Sequence, residues 1–204
     1  MKDLLNARTA FITMLVTGLV GVGVACNNNP DNVKTAEKAN AQKTDSLTNK
    51  QSVTDSSVGI ASRQDADFMV KATAGNEQEV VLGKLAQTNA SNPAVKRFGE
   101  MMIHDHEMSE KEFRGLAANK HIILPDTISN AQKKEHDDLQ KKTGRDFDKA
   151  YIKLMVDDHK DDIGEFKKAE KNANDMDIKA LAAKTLPILQ KHLDTVQVLQ
   201  KGLH

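Results

Sequence analysis

DADFMVKATAGNEQEVVLGKLAQTNASNPAVKRFGEMMIHDH, residues Asp65 to His106, is the stretch on which the fold turns. Phe68, Ala72, Gly75, Glu79, Leu82 and Ala86 follow one another at spacings of three or four, the period of one helix face. Ser91-Asn92-Pro93 then interrupts the run, because a short polar side chain caps a helix start and proline is tolerated in the first turn. A second periodic run passes through Val95, Phe98, Met102, His106, Ser109, Phe113 and Leu116. The spacing predicts helices over about Ala66 to Asn89 and from Pro93 to about Lys120, joined tightly enough to fold back as an antiparallel hairpin.

The same period recurs downstream. His121 to Thr127, with Pro125, reads as a loop, and a short polar helix from about Ile128 to Lys142 ends at Thr143-Gly144. A third long helix, about Phe147 to Lys171, carries Ile152, Met155, His159, Ile163 and Phe166 on one face. The last, about Asp175 to Leu203, carries Ile178, Leu181, Thr185, Leu189, His192, Val196, Leu199 and Leu203. Pro187 inside it should kink the helix and free the carbonyl of Ala183. No stretch alternates like a strand. The expected fold is therefore all-α: an antiparallel four-helix bundle, with one short extra helix in the connection between the second and third long helices. That long connection is compatible with a plain up-down bundle and with a crossover, the ferritin-like arrangement.

Composition agrees with helix packing. With no Trp and one Tyr, the core must come from Leu, Val, Ile, Met, Ala and Phe. Twenty-nine basic and twenty-nine acidic residues balance, so nothing here attracts nucleic acid.

Upstream of the first helix the chain changes character. Lys2 and Arg8 precede an uncharged run from Thr9 to Ala25, short for a membrane span and interrupted by glycines, which reads as a signal peptide over residues 1–25. The only cysteine, Cys26, follows Ala25 and precedes Asn27-Asn28-Asn29-Pro30, as in a bacterial lipoprotein signal, although Gly23 stands where such signals usually place Leu. An ordinary cleaved signal leaving a free thiol, or an uncleaved anchor, would also export the domain. Residues 26–64 thus read as a lipidated Cys26 followed by a disordered polar tether reaching roughly 35 Å, and residues 65–204 as the folded domain. The expected location is the cell envelope, as an outer-membrane lipoprotein whose partner is the membrane itself, with a homo-oligomer left open.

Chemistry enters where polar residues interrupt the apolar seams. Glu79, His106, His159 and His192 each fall near the middle of a long helix, so antiparallel packing would gather them into one layer. Imidazoles and a carboxylate suit iron, zinc or copper, and bundle cores are where such sites are built. Asp105 and Asp158 adjoin two of the histidines as candidate acceptors behind the ligands or as ligands themselves, and Tyr151 lies one turn from Met155 beside the same layer. A buried histidine can equally be a hydrogen-bonded core residue, and Tyr151 a packed ring. Met101, Met102, His104, His106 and Met108 form a Met/His patch with copper-binding chemistry, but a helix spreads them over several faces. His121, His136 and His204 read as solvated. No nucleophile elbow or phosphate loop is present, so no catalytic residue is assigned and a redox metalloprotein is the only enzymatic option.

Asp105-His106, Asp158-His159, the Phe-Asp-x-x-Tyr run through Phe147, Asp148 and Tyr151, and Leu-Pro-x-Leu-x-x-His from Leu186 to His192 carry a resemblance. Over about Asp65 to Leu203 the chain resembles the ferritin-like bacterial "domain of unknown function 4142" family. The resemblance implies an exported or envelope-associated ferritin-like bundle and no defined activity. True di-iron ferritins use Glu-x-x-His pairs, and here Ile103 and Val156 stand three residues before His106 and His159. Two functions of different class follow as expectations. One is a bundle that holds a metal in its core, for metal buffering or a role in oxidative or envelope stress. The other is a metal-free, tethered interaction module with a buried His/Glu hydrogen-bond network.

Overall fold

The computed structural model describes residues 30–50 and 61–203, with side chains described through residue 46 in the first segment. The signal peptide expected over residues 1–25, the lipidation site Cys26 and His204 lie outside the described residues. Six helices make up the described chain: α1 (Asn32–Lys50), α2 (Arg63–Asn89), α3 (Pro93–Asn119), α4 (Asn130–Gln140), α5 (Gly144–Asn172) and α6 (Met176–Gly202). No strand occurs among the described residues, and none of these helices is long and apolar enough to cross a membrane.

The helix starts follow their sequence signals. Ser62, Asn92 and Asp175 each accept a hydrogen bond from a backbone N–H of the first turn of α2, α3 and α6, and Ser129 with Gln132 forms a reciprocal capping box on α4. Gly144, at φ +61°, takes the left-handed conformation that turns the chain from α4 into α5. At the end of α3 that conformation falls on His121 (φ 54°), where Ile122 N–H donates back to Ala117 O. α6 runs through Pro187 as one unbroken helix.

α2 packs along α3 and α5 along α6, while α2 also faces α5 and α3 faces α6. Two buried carboxylates lock these pairs together. Asp65, in the first turn of α2, accepts from Asn174 N–H (3.0 Å) and Asp175 N–H (2.9 Å) in the α5–α6 link. Asp148, one turn into α5, accepts from Ser91 N–H (3.1 Å), Ser91 Oγ–H (2.6 Å) and Asn92 N–H (3.0 Å) in the α2–α3 link. The start of α5 therefore sits beside the end of α2, and the start of α6 beside the start of α2. Because α3 ends at the α6 start, where Lys120 pairs with Asp175 at 2.7 Å, residues 121–143 run the length of the helices to reach α5. α4 lies along α2 on the way, with Gln132 donating to Ala74 O and Gln78 to Glu135.

Helices α2 and α3 approach backbone to backbone. A Cβ on Gly83 would lie 2.8 Å from Gly99 O, and one on Gly99 would lie 2.9 Å from the Ala86 Cβ, so only glycine fits either place. Phe68, Phe113 and Phe166 fill one end of the interior; Phe98, Phe147 and Tyr151 fill the other.

One expectation fails over part of its length, residues 26–29 and 51–60 of the expected tether lying outside the described residues. Within the stretch read as a disordered tether, Asn32–Lys50 is a helix docked on the domain. The sequence hides it because the docking is polar. Ala36 and Asn40, one turn apart, are its buried residues, and Asn40 both donates to Ile123 O and accepts from Ile123 N–H at 2.8 Å. Lys43 donates to His121 O (2.7 Å), and Asn130 N–H donates to Asp31 (3.0 Å). The helix thus clasps the α3–α4 loop through backbone hydrogen bonds, and composition-based disorder carries no trace of that.

Candidate metal centre

Between the two aromatic ends lies a polar layer. Each long helix sends one side chain into it: Glu79 from α2, His106 from α3, His159 from α5 and His192 from α6, all at most 3% exposed. The rings of His106, His159 and His192 stand 5.2–6.0 Å apart, centroid to centroid. One nitrogen from each can be chosen so that all three lie within 4.8 Å of one another.

Each imidazole is held from behind by an acceptor. His159 Nδ1–H donates to Met155 O (2.8 Å), a helical i−4 carbonyl. His106 Nδ1 meets Asn76 Oδ1 (2.9 Å), and His192 Nε2 meets Asp105 Oδ2 (2.8 Å). An oxygen acceptor requires the proton on the nitrogen it faces, so the other nitrogen of each neutral ring carries a lone pair. Those lone pairs are His159 Nε2, His106 Nε2 and His192 Nδ1, and all three are buried without a hydrogen-bond partner. Orienting a ligand imidazole through its far N–H is how metal sites fix tautomer and direction.

Glu79 completes the layer. Its Oε2 lies 2.8 Å from His106 Nε2, and its Oε1 lies 3.1 Å from His159 Nδ1. Neither approach has hydrogen-bond geometry, since both Glu79 oxygens and His106 Nε2 remain without such a partner. A lone pair and a carboxylate at this distance repel unless a cation lies between them. A shared proton would need to sit on the N···O line; a metal ion sits off it. Burial pushes the Glu79 carboxyl up, but positive charge gathered at the three facing imidazoles outweighs burial and brings the group down to about 2, so the layer favours a carboxylate wherever a cation occupies it. Burial, reinforced by the other two rings and opposed by Asp105, brings His192 down to about 4 and keeps it neutral. Three imidazoles and one carboxylate form a donor set that fits a divalent transition metal.

The neighbouring candidates divide. Asp105 stands behind His192 and also accepts from His104 Nδ1 (2.7 Å). Asp158 touches none of the four; its Oδ2 is buried and unpartnered on the α2–α4–α5 side, where burial and then the charge of Glu79 raise it to about 8. Tyr151 packs against Phe98 and Phe147, and its hydroxyl makes no hydrogen bond; burial and the Glu79 charge push its phenol well up. The Met/His patch disperses, with Met102 and His106 buried and His104 and Met108 exposed. His121 is exposed, and His136, only partly exposed, lies beside Asp137. Asn76, one turn before Glu79, is the contributor that sequence reasoning missed. Nothing in the sequence marks it, since its burial becomes visible only once the helices are packed.

Two clefts reach the centre from opposite sides. One, of about 360 Å³, runs between α3 and α6 to His106 and His192, past Met108, Ile188, Leu189, Lys184 and Lys191. The other, of about 120 Å³, reaches Glu79 between α2, α4 and α5. A further cleft, about 500 Å³ near Arg63 and Lys168, touches none of the four residues.

Comparison with known proteins adds family and fold. No curated protein matches the chain. Among solved structures, it is similar to one described as "Crystal structure of DUF305 fragment from Deinococcus radiodurans", with a TM-score of 0.62 and 12% identity, covering 70% of this chain and 99% of that one. At that identity the likeness speaks for the helical fold alone. Residues 49–199, well over half of the chain, match the family described as "Domain of unknown function (DUF4142)". The chain therefore belongs to the DUF4142 family, a domain of unknown function.

Proposed function

We propose that this protein is an exported, lipid-anchored component of the cell envelope whose ferritin-like four-helix bundle holds one transition-metal ion, buffering that metal or using it against oxidants. The ferritin-like reading is supported by the two antiparallel hairpins, α2–α3 and α5–α6, and by the connector that runs the length of the helices between them. Export and anchoring are supported by the basic residues Lys2 and Arg8, the apolar run to Ala25 and the position of Cys26.

One observation carries the metal. Three buried imidazoles, each fixed by an acceptor on its far nitrogen, turn unpartnered lone pairs toward one another and toward a buried carboxylate. His106 Nε2, His159 Nε2, His192 Nδ1 and Glu79 are the assigned ligands; Asn76, Met155 O and Asp105 orient the rings. A metal-free hydrogen-bond network would need those same nitrogens satisfied, and buried polar atoms left without partners cost about 1–3 kcal/mol each. Iron, zinc and copper all accept this donor set. One carboxylate and no Glu-x-x-His pair make a single-ion site, not a di-iron one.

Elemental analysis of protein purified without a His tag, followed by metal titration monitored by thermal melting, tests the assignment. The expected result is one ion per chain and a melting temperature that rises with free metal. His106→Ala/His159→Ala should lose both. Wild-type protein that carries no stoichiometric metal and gains no stability from any divalent ion would end this reading.

A further inference from the structure

Two of the five large apolar side chains exposed among the described residues, Met108 and Ile188, line one cleft, and that cleft ends on two of the assigned metal ligands. It opens between α3 and α6, holds about 360 Å³ and has a polar inner end at His106, His192 and Ser109. His106 Nε2, His192 Nδ1 and Ser109 Oγ are all buried without a hydrogen-bond partner. The metal accounts for the two nitrogens and leaves the serine hydroxyl unexplained. The other hydroxyl of the lining is satisfied, since Thr185 Oγ1 donates to Leu181 O. The charged groups of the lining cancel in pairs. Glu112 accepts from Lys184 at 2.7 Å, while Asp105, turned toward His192 and His104, lies in the field of Lys191.

We propose that this cleft binds a small monocarboxylate with a short apolar chain, its head group directed to the metal and to Ser109 Oγ–H and its chain lying along Met108, Ile188 and Leu189. This rests on the metal assignment above and names the ligand class of that same site. A cleft of this size, largely apolar with a few convergent polar groups, is the usual form of a small-molecule site. Charge selects the head group. A divalent ion brings two positive charges against the one negative charge of Glu79, and with the wall charges cancelled the excess at the inner end takes one anion. Direction selects the side. Glu79 and His159 come from α2 and α5, so a further ligand enters between His106 on α3 and His192 on α6. Four protein ligands close a tetrahedral zinc site but leave a position open on a metal that takes five or six. Ser109, one turn after His106 on α3, then gives its buried hydroxyl the acceptor it lacks.

Titration of the cobalt(II)-loaded full chain with hexanoate, followed by visible absorption, tests the site. Hexanoate should change the cobalt bands and bind about tenfold more tightly than acetate, which has the head group without the chain. Hexanol, which has the chain without the charge, should leave the bands unchanged. Ile188→Glu sets an anion on the exposed wall and should weaken hexanoate about tenfold at unchanged cobalt affinity. Ser109→Ala should weaken hexanoate and acetate alike, by about fivefold. Circular dichroism establishes that each variant is folded. Cobalt bands indifferent to hexanoate, equal affinity for hexanoate and acetate, a response to hexanol, or wild-type hexanoate affinity in either variant would overturn the carboxylate site. The metal centre would still stand, because the cobalt spectrum reports the ion itself. If wild-type protein takes up no cobalt and no other divalent ion, both fall.

Discussion

The two hairpins of the bundle are locked by one device and packed by two. Asp65 at the start of α2 clamps the α5–α6 link, and Asp148 at the start of α5 clamps the α2–α3 link, each with about 1% exposure. Yet α2 and α3 touch through the glycines Gly83 and Gly99, whereas Gly164 on α5 has nothing within 4 Å of an added Cβ. The difference teaches where the tolerances lie. The α2–α3 hairpin sets its spacing by backbone contact at Gly83 and Gly99, whereas Gly164 in the other hairpin faces open space.

The largest effect should come from breaking the shared lock. Asp65→Ala or Asp148→Ala strands buried backbone donors and should each cost about 3 kcal/mol, read as a shift in urea midpoint. The two losses should add, since the carboxylates sit at opposite ends of the bundle. Next, Gly83→Ala should cost about 2 kcal/mol by forcing α2 from α3, with the melting temperature falling accordingly. The same change in the other hairpin should reverse sign: Gly164→Ala meets no neighbour and should stabilise by about 0.8 kcal/mol through helix propensity. A destabilising Gly164→Ala would erase the distinction between the hairpins. Smallest of all, His121→Gly should add about 0.5 kcal/mol by relieving the left-handed conformation after α3, a change visible in thermal melting.

Legibility from sequence follows the same physical divide. The four long helices are readable because their burial is apolar and periodic, so Met102, Phe113, Met155, Leu189 and their neighbours announce both the helix and its inward face. The polar layer is readable for the same reason: Glu79, His106, His159 and His192 occupy places the period reserves for apolar side chains. α1 is opaque because its attachment runs through the Asn40 amide and a loop backbone, which no hydropathy pattern encodes. Asn76 is opaque because an amide three residues before a glutamate looks like ordinary helix surface until a histidine from another helix lands on it. Gly83 and Gly99 gave no signal, since close approach belongs to a pair of helices and not to either one.

Docking of α1 also changes how the domain would be moored. With Cys26 as the anchor, five residue steps separate the lipid from Asp31, which is already fastened to Asn130 at the head of α4. Fully stretched, that leash spans roughly 17 Å, half of what a free coil reaching to the bundle would allow. It is also tied to the flank, near the middle of α2, and not to an end. Such a protein would ride side-on and low against the bilayer, like a hull at a quay, with its attitude set by α1 and not by chance.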